Sequence, residues 1–371
     1  MRNQSIPELQ RIPLEEVCLT ILSGHLSDNC LDFLIQAPQP PSSDAVQNAL
    51  KVLEDVGAIE PLIGEKAHSR TEIITPLGSH LARLPIHVGL GKMLIFGCLF
   101  KSLDKVLTIV SCLSASKSLF SLSMEMNFES EAARKSFRHP TCDFLTFCNV
   151  WDAYRNASNK SQFCSKNYLN ISTLMEISDL RKLYVEQLKL IGFIPETISE
   201  TNLVSSDANI HGRNDAVIDA VITAGLYPNC AHRVKESNGS YKVFNRNEQL
   251  WFHRSSVFYE SKVPREWVVY HEKFATHKTY ISIASGVSSY GLILFGNTLS
   301  IQYTSRSVII DKWIELRIPA QLAVFFREVR IGISVILESM LTVGNHAEKD
   351  AVLDSIVRLL ELEEASSNKS N

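Results

Sequence analysis

The chain has 371 residues, 45% of them apolar and 21% charged, with 37 Lys and Arg against 40 Asp and Glu. This apolar share is ordinary for globular proteins and, at this length, supplies a core for roughly two to three domains. A net charge of −3 excludes a uniformly basic nucleic-acid coat, though not a local basic face.

No apolar stretch follows Arg2, so the N-terminus does not read as a secretory signal. Leu14 to Leu26 has apolar residues at helical spacing, and Asp32–Ile35 reads as a short helical turn stopped by Pro38, Pro40 and Pro41. Ser43 or Asp44 can cap a helix over Ala45–Val56, which Gly57 terminates. Strand-like pieces follow at Ile59–Ile63 and Thr71–Thr75, separated by a polar turn from Gly64 to Arg70. Helices followed by a β-hairpin is the order of a winged helix. Residues 1–80 carry five Lys/Arg and eleven Asp/Glu, and the helix in the recognition position bears Lys51, Glu54 and Asp55. Phosphates repel that balance, so the segment reads as a packing adaptor rather than a DNA reader.

Residues 81–200 read as an all-helical bundle, with stripes at 89–100, 103–113, 132–137, 144–154 and 173–190, and a stop at Gly192. Gly89-Leu90-Gly91-Lys92 lacks the second half of a phosphate loop. Its glycines suit close helix approach, with Lys92 reaching to solvent. Ile194–Asn209 is polar and reads as a linker, and Ile210–Ala224 as a helix.

The period then changes. Tyr241–Val243, Gln249–Phe252, Trp267–Tyr270, Tyr280–Ile283, Gly291–Leu294 and Ser300–Tyr303 are short strand candidates, the pattern of a small barrel or sandwich over 210–310. The longest charge-free stretch, Thr279–Ser305, is too rich in Ser, Thr and Gly for a membrane span. Residues 311–371 read as C-terminal helices, one opened by Pro319 and one over 351–364, ending in a frayed Ser366–Asn371 tail. The expected fold class is mainly α with a small β-barrel.

Few motifs carry chemistry. There is no G-x-x-x-x-G-K-[ST], no D-E-x-H, no G-x-S-x-G and no H-E-x-x-H. None of the eight cysteines sits at zinc-ligand spacing, so they read as reduced, buried thiols of an intracellular, cytoplasmic chain that holds no metal. A self-sufficient enzyme is therefore not expected. Residues 213–306, by contrast, hold eleven Lys/Arg and seven Asp/Glu. Within them Trp251, Phe252, His253, Arg254, Phe258, Tyr259, Trp267, Tyr270, His271, Lys273, His277, Lys278 and Tyr280 interleave rings with cations. Rings stack on unpaired bases and cations neutralise phosphates, so single-stranded nucleic acid is the expected ligand. The alternative use of Trp251 and Trp267 is barrel packing, that of Phe163 is core, and that of Asn167 is a helix cap.

The order of the pieces resembles the C-terminal half of DExH-box (DEAH/RNA helicase A type) RNA helicases, where a winged helix, a helical ratchet and an OB-fold follow two motor domains. The resemblance rests on Pro7–Glu16, on Phe33-Leu34 with Ala37-Pro38, on Thr75–Pro85 and Leu90–Ile95, on Phe163-Cys164 with Asn167-Tyr168-Leu169, on Ala224–Asn229, on Ser255–Val257 and on Leu292–Gly296. The Arg11-x-Pro13-Leu14-Glu15-Glu16 run resembles most the members linked to translation initiation. Three departures stand out. The motor domains are absent, so the chain is expected to be a C-terminal piece. The family's H-P-S-S-V reads His253-Arg254-Ser255-Ser256-Val257, and its Arg-Asp reads Ser282-Ile283. The resemblance implies RNA binding by Asn167, Tyr168, His253, Arg254, Ser255, Ser256, Tyr270, Lys273 and Lys278, without unwinding by this chain alone. ATP and Mg would bind the motor domains, and no cofactor would bind here. Partners implied are single-stranded RNA, motor domains in cis, and activator proteins or the ribosome. The alternative is a protein-docking module with little RNA contact. No membrane contact is expected.

Overall fold

The computed structural model describes residues 7–63, 70–120, 128–237, 240–259, 265–303, 306–341 and 347–369. Three helices open it: α1 (Glu15–Ser23), α2 (Cys30–Leu34) and α3 (Ser43–Val56). The Ser42 hydroxyl caps α3 by accepting from the Ala45 amide, and Gly57 closes it with a left-handed φ of 82°. An antiparallel hairpin follows, β1 (Ile59–Ile63) and β2 (Arg70–Ile74), in the register Ile59 opposite Ile74. The turn expected between them falls mostly on residues 64–69, outside the described residues.

The helical centre consists of α4 (Pro76–Leu81), α5 (Val88–Leu99), α6 (Leu103–Ser114), α7 (Phe128–Ser136), α8 (Asp143–Asn156), α9 (Lys160–Lys166) and α10 (Ile171–Leu190). Helix α5 is apolar on all sides because it is enclosed on all sides. It lies against α11 (Asp215–Leu226), where a Cβ on Gly89 would stand 2.6 Å from the Gly225 carbonyl oxygen. The glycine reading thus holds for Gly89. Lys92 does not reach solvent. It is buried, its Nζ donates to the Val56 carbonyl at 2.6 Å, and burial pulls its pKa down to about 7. The last turn of α3 offers an otherwise unpaired carbonyl, which draws the ammonium inward.

The expected linker is not loose. Ile194, Ile198 and Leu203 are buried, Glu200 pairs with the fully buried Arg181 at 3.1 Å, and the Asn209 side chain accepts the Asp104 amide. Arg181 also meets Asp104 at 2.6 Å and lies over the Trp151 ring, joining α6, α8 and α10 to this segment.

A closed five-stranded barrel follows: β3 (Cys230–Lys235), β4 (Tyr241–Asn245), β5 (Glu248–Phe252), β6 (Trp267–Ala275) and β7 (Thr279–Val287), in spatial order β3-β4-β5-β7-β6. Only the β5–β7 pairing is parallel, with Trp251 opposite Tyr280. Ala231, Val243, Leu250, Val268, Tyr270 and Ile281 fill it. Two expectations change here. Gly291–Leu294 is not a strand but lies in helix α12 (Ser289–Phe295), capped by the Ser288 hydroxyl. Ser300–Tyr303 does not join the barrel. It overlaps β8 (Leu299–Gln302), which with β9 (Ser307–Ile310) and β10 (Ile314–Arg317) forms a separate antiparallel sheet ordered β10-β9-β8. Helices α13 (Ala320–Leu341) and α14 (Ala347–Lys369) end the described chain, and α14 continues through the expected frayed tail as far as Lys369.

The barrel is fastened to the bundle at β7. Gly286 donates to the Thr141 carbonyl, and the Ser285 hydroxyl donates to Asp219 of α11 at 3.1 Å. Burial pushes Asp219 up to about 7. Arg265 and the Ser285 bond oppose that rise, and Asp215 and Glu364 add to it. A raised carboxyl binds its proton more tightly folded than unfolded, where Asp titrates near ~3.9. This group's stabilisation is therefore complete below about pH 4 and declines as pH rises towards about 7. Asp219→Asn should flatten that decline in melting temperature across the same window. Its melting temperature at pH 8 should be no lower than that of the parent chain. An unchanged slope would place the titration elsewhere.

Candidate nucleic-acid interface

Strand β5 ends at Phe252, and the chain turns through residues 253–259 against the helical bundle. Tight local bonds shape this loop. The Ser256 amide donates to the His253 carbonyl, and His253 Nδ1 lies 2.8 Å from the Ser255 hydroxyl. Three bundle residues then hold it. Arg134 donates to the Ser255 carbonyl at 2.9 Å, and Arg138 donates to the carbonyls of Ser256 and Val257 at 3.1 and 2.6 Å. Asp143, at the start of α8, accepts from the Ser256 hydroxyl (2.7 Å), the Val257 amide (2.8 Å) and the Ala284 amide (2.9 Å).

Between loop and bundle lies a cavity of about 440 Å³. Phe120, Arg134, Arg138, Tyr168, His253 and Arg254 give it its character, and Ile283 also lines it. The Arg134 guanidinium sits 4.7 Å from the centre of the Phe120 ring. In both arginines the carbonyl bonds use a single terminal nitrogen, which leaves further donors for a ligand. Burial lifts the Asp143 carboxyl above its usual range, and its three donors oppose that rise. Partial burial, reinforced by Arg254 and Arg134, lowers the His253 pKa, so its imidazole is neutral at pH 7.

A ring surface continues from His253 along the β6–β7 hairpin. The His253 ring packs edge-on against Phe274, 5.7 Å between centroids. Phe274 stacks on its register partner Tyr280 at 5.9 Å. The Tyr280 hydroxyl meets His277, and Lys278 lies 4.9 Å over the Trp251 ring. Phe274 is 38% exposed, so its ring is open to a stacking partner.

The nine candidates from sequence divide unevenly. Tyr168, His253, Arg254, Ser255 and Ser256 meet at the cavity, though Ser256 is buried and bound to Asp143. Lys278 belongs to the hairpin surface. Asn167 closes α9, donating to the Phe163 carbonyl at 2.8 Å. Tyr270 is turned into the barrel, where its hydroxyl accepts from Asn245. Lys273 is paired with Glu248 at 2.5 Å on the barrel surface. Trp267 is buried on the outer side of the barrel rather than within it, stacked on His232, and Phe163 packs against Phe137 and Tyr154. Sequence reading missed Arg134, Arg138, Asp143 and Phe274. The only trace of the arginines is the run Arg134-Lys135-Ser136-Phe137-Arg138, which puts two guanidinium groups one helical turn apart. Among the described residues no cluster of His, Cys, Asp and Glu is placed to hold a metal ion, and no helix is long and apolar enough to cross a membrane.

Residues 87–147 match the family described as the helicase associated domain (HA2), ratchet-like. Residues 218–299 match that described as the oligonucleotide/oligosaccharide-binding (OB)-fold. The chain is 31% identical to the ATP-dependent RNA helicase dhx29 of Xenopus laevis over 96% of its own length and 26% of that protein. It is 31% identical to the ATP-dependent DNA/RNA helicase DHX36 of Bos taurus over 98% of its length and 37% of that protein. It is 32% identical to the DExH-box ATP-dependent RNA helicase DExH1 of Arabidopsis thaliana over 82% of its length and 29% of that protein. The chain thus spans about a quarter to somewhat over a third of these relatives.

Asp143 is the residue on which the loop geometry turns. Asp143→Ala leaves three buried donors without an acceptor, a loss of about 3–5 kcal/mol in unfolding free energy. Urea denaturation should show this loss, and hydrogen exchange of the Val257 and Ala284 amides should speed up. A change below about 1 kcal/mol would mean that water replaces the carboxylate at little cost.

Proposed function

From a chain that belongs to the C-terminal region of the DExH-box RNA helicases, we propose a single-stranded RNA-binding accessory half that closes over the strand beside motor domains. In this reading α1–α3 with the β1–β2 hairpin form the winged helix, the central helices form the ratchet, and the barrel forms the OB-fold. The observation that carries it is the meeting of Tyr168, His253, Arg254 and Ser255 with Arg134 and Arg138 at one cavity, continued by the Phe274–Tyr280 surface. Rings offer each base a stacking face worth about 1–3 kcal/mol, and the arginines bridge to phosphates. Neutral His253 serves as a hydrogen-bonding group rather than a charge. The sequence has no phosphate loop, so ATP and Mg would act in motor domains, and this chain alone would bind RNA in the cytoplasm without unwinding it.

A second reading has its own observation. Glu60, Leu62 and Ile73 share one face of the β1–β2 hairpin, with Leu62 and Ile73 half exposed, in an acidic segment. That face suits a protein, such as an activator or a ribosomal surface, more than RNA. Association through it would survive nuclease treatment.

Fluorescence anisotropy with a labelled single-stranded RNA tests the main reading. Binding should weaken as salt rises, with a slope near −0.7 per phosphate contact. Arg254→Ala combined with Lys278→Ala should cost about tenfold in affinity and flatten the slope by about 1.4. Lys273→Ala should change little, because an exposed pair with Glu248 already engages that ammonium. Binding that ignores both salt and the double substitution would overturn the assignment.

A further inference from the structure

On another side of the barrel, strand β10 is the outermost strand of its sheet and pairs only with β9. Beside it lies a cavity of about 870 Å³. Glu315, Leu316 and Arg317 line this cavity in succession, and no residue of β8 or β9 does. Successive residues of a strand face opposite ways, so three in a row along one cavity place it at the strand's edge. The edge amides and carbonyls of β10 therefore face the open space, with the barrel as the opposite wall: His232 on β3, Phe244 on β4, Trp267 at the start of β6 and Glu266 just before it. Trp313 packs edge-on against Trp267 at 5.6 Å, forming an aromatic floor.

We infer that this groove receives an extended peptide of a partner protein, which adds to the sheet as a strand beside β10. Two features select that occupant. The barrel wall leaves space beside the edge rather than an open flank, so one strand enters more readily than a second folded copy. Glu315 and Arg317 lie on the same face of β10, two residues apart and exposed. Beyond their backbone pairing with β9, neither side chain has a hydrogen-bonded or ion-paired partner among the described residues. Opposite charges pair across neighbouring strands, so the complementary segment carries a Lys or Arg and an Asp or Glu two residues apart. Backbone pairing supplies affinity and the alternate side chains supply specificity. This surface is separate from the RNA-facing cavity, and the inference stands whether or not RNA binds there.

The probe is a peptide carrying fluorescein on its N-terminus, Thr-Val-Glu-Val-Lys-Val-Thr-amide, whose Glu and Lys fall opposite Arg317 and Glu315 when it adds antiparallel to β10, titrated with the full chain. It should bind saturably and slow amide exchange across Ile314–Arg317. Glu315→Lys should weaken it about tenfold and favour instead the peptide with Glu at both charged positions. N-methylation of alternate backbone amides of the peptide should abolish one of the two methylated forms. The inference falls if no saturable binding occurs, if Glu315→Lys leaves the preference unchanged, or if both methylated peptides bind like the parent. It falls equally if sedimentation shows a concentration-dependent dimer that Glu315→Lys dissociates, which would make a second copy the occupant.

Discussion

The molecule depends on how β7 is held. This strand lies between β5 and β6 in the closed barrel, so fixing it fixes the barrel. Ala284, Ser285 and Gly286 are bound in succession to Asp143, Asp219 and the Thr141 carbonyl. Both carboxylates are buried, and a buried charge is costly unless its oxygens are satisfied. Asp143 meets that condition with three donors from two places, the 253–259 loop and β7. One carboxylate thereby sets the distance between barrel strand, loop and helix α8. An apolar residue of similar size would fill the space without specifying where the loop sits.

That placement gives the loop residues a common direction. Arg134 and Arg138 grip carbonyls that the loop presents, and the same grip brings their guanidinium groups beside Arg254 and His253. Like charges so arranged repel one another. The repulsion is tolerated because each arginine is tied down by charge-assisted bonds, and it is relieved when an anion arrives. Keeping His253 neutral avoids a further cation in the same space.

Much of this was legible in the sequence. The apolar stripes placed α3 and α11, but not their starts: Ser42 rather than Ser43 or Asp44 caps α3, and α11 begins after Asn214 rather than at Ile210. Four apolar residues in a row, Leu292–Phe295, fit a buried strand as well as a buried helix, and the Ser288 cap decided the matter. The β9–β10 hairpin gave no signal because its turn uses Asp311 and Lys312 at φ 49° and 67°, where glycine or asparagine would have marked it. Asp311 tolerates that conformation while its carboxylate accepts from Tyr227 and Thr298. Loop residues His253 and Arg254 were found because they interleave with rings, and Ser255 and Ser256 through the resemblance of residues 253–257 to the family's H-P-S-S-V. Arg134 and Arg138 were missed because their role exists only once α7 lies against the barrel, more than a hundred residues away.

Charge is distributed by function rather than by domain. Three cations are buried for architecture: Lys92 under α3, Arg181 between α6 and α10, and Arg233 beneath the rings of Tyr241, Phe252 and Phe258. Only Arg233 of these lies within residues 213–306, where Lys242 and Lys273 are in turn paired with Glu236 and Glu248. In the proposed RNA-binding reading, the exposed Phe274 ring would add stacking to phosphate neutralisation by cations such as Arg254 and Lys278. Every base has a stacking face, so such an interface is tolerant of sequence. In the same proposed reading, the cavity beside His253 would admit an unpaired strand whose bases can turn aside rather than a duplex whose bases are already stacked.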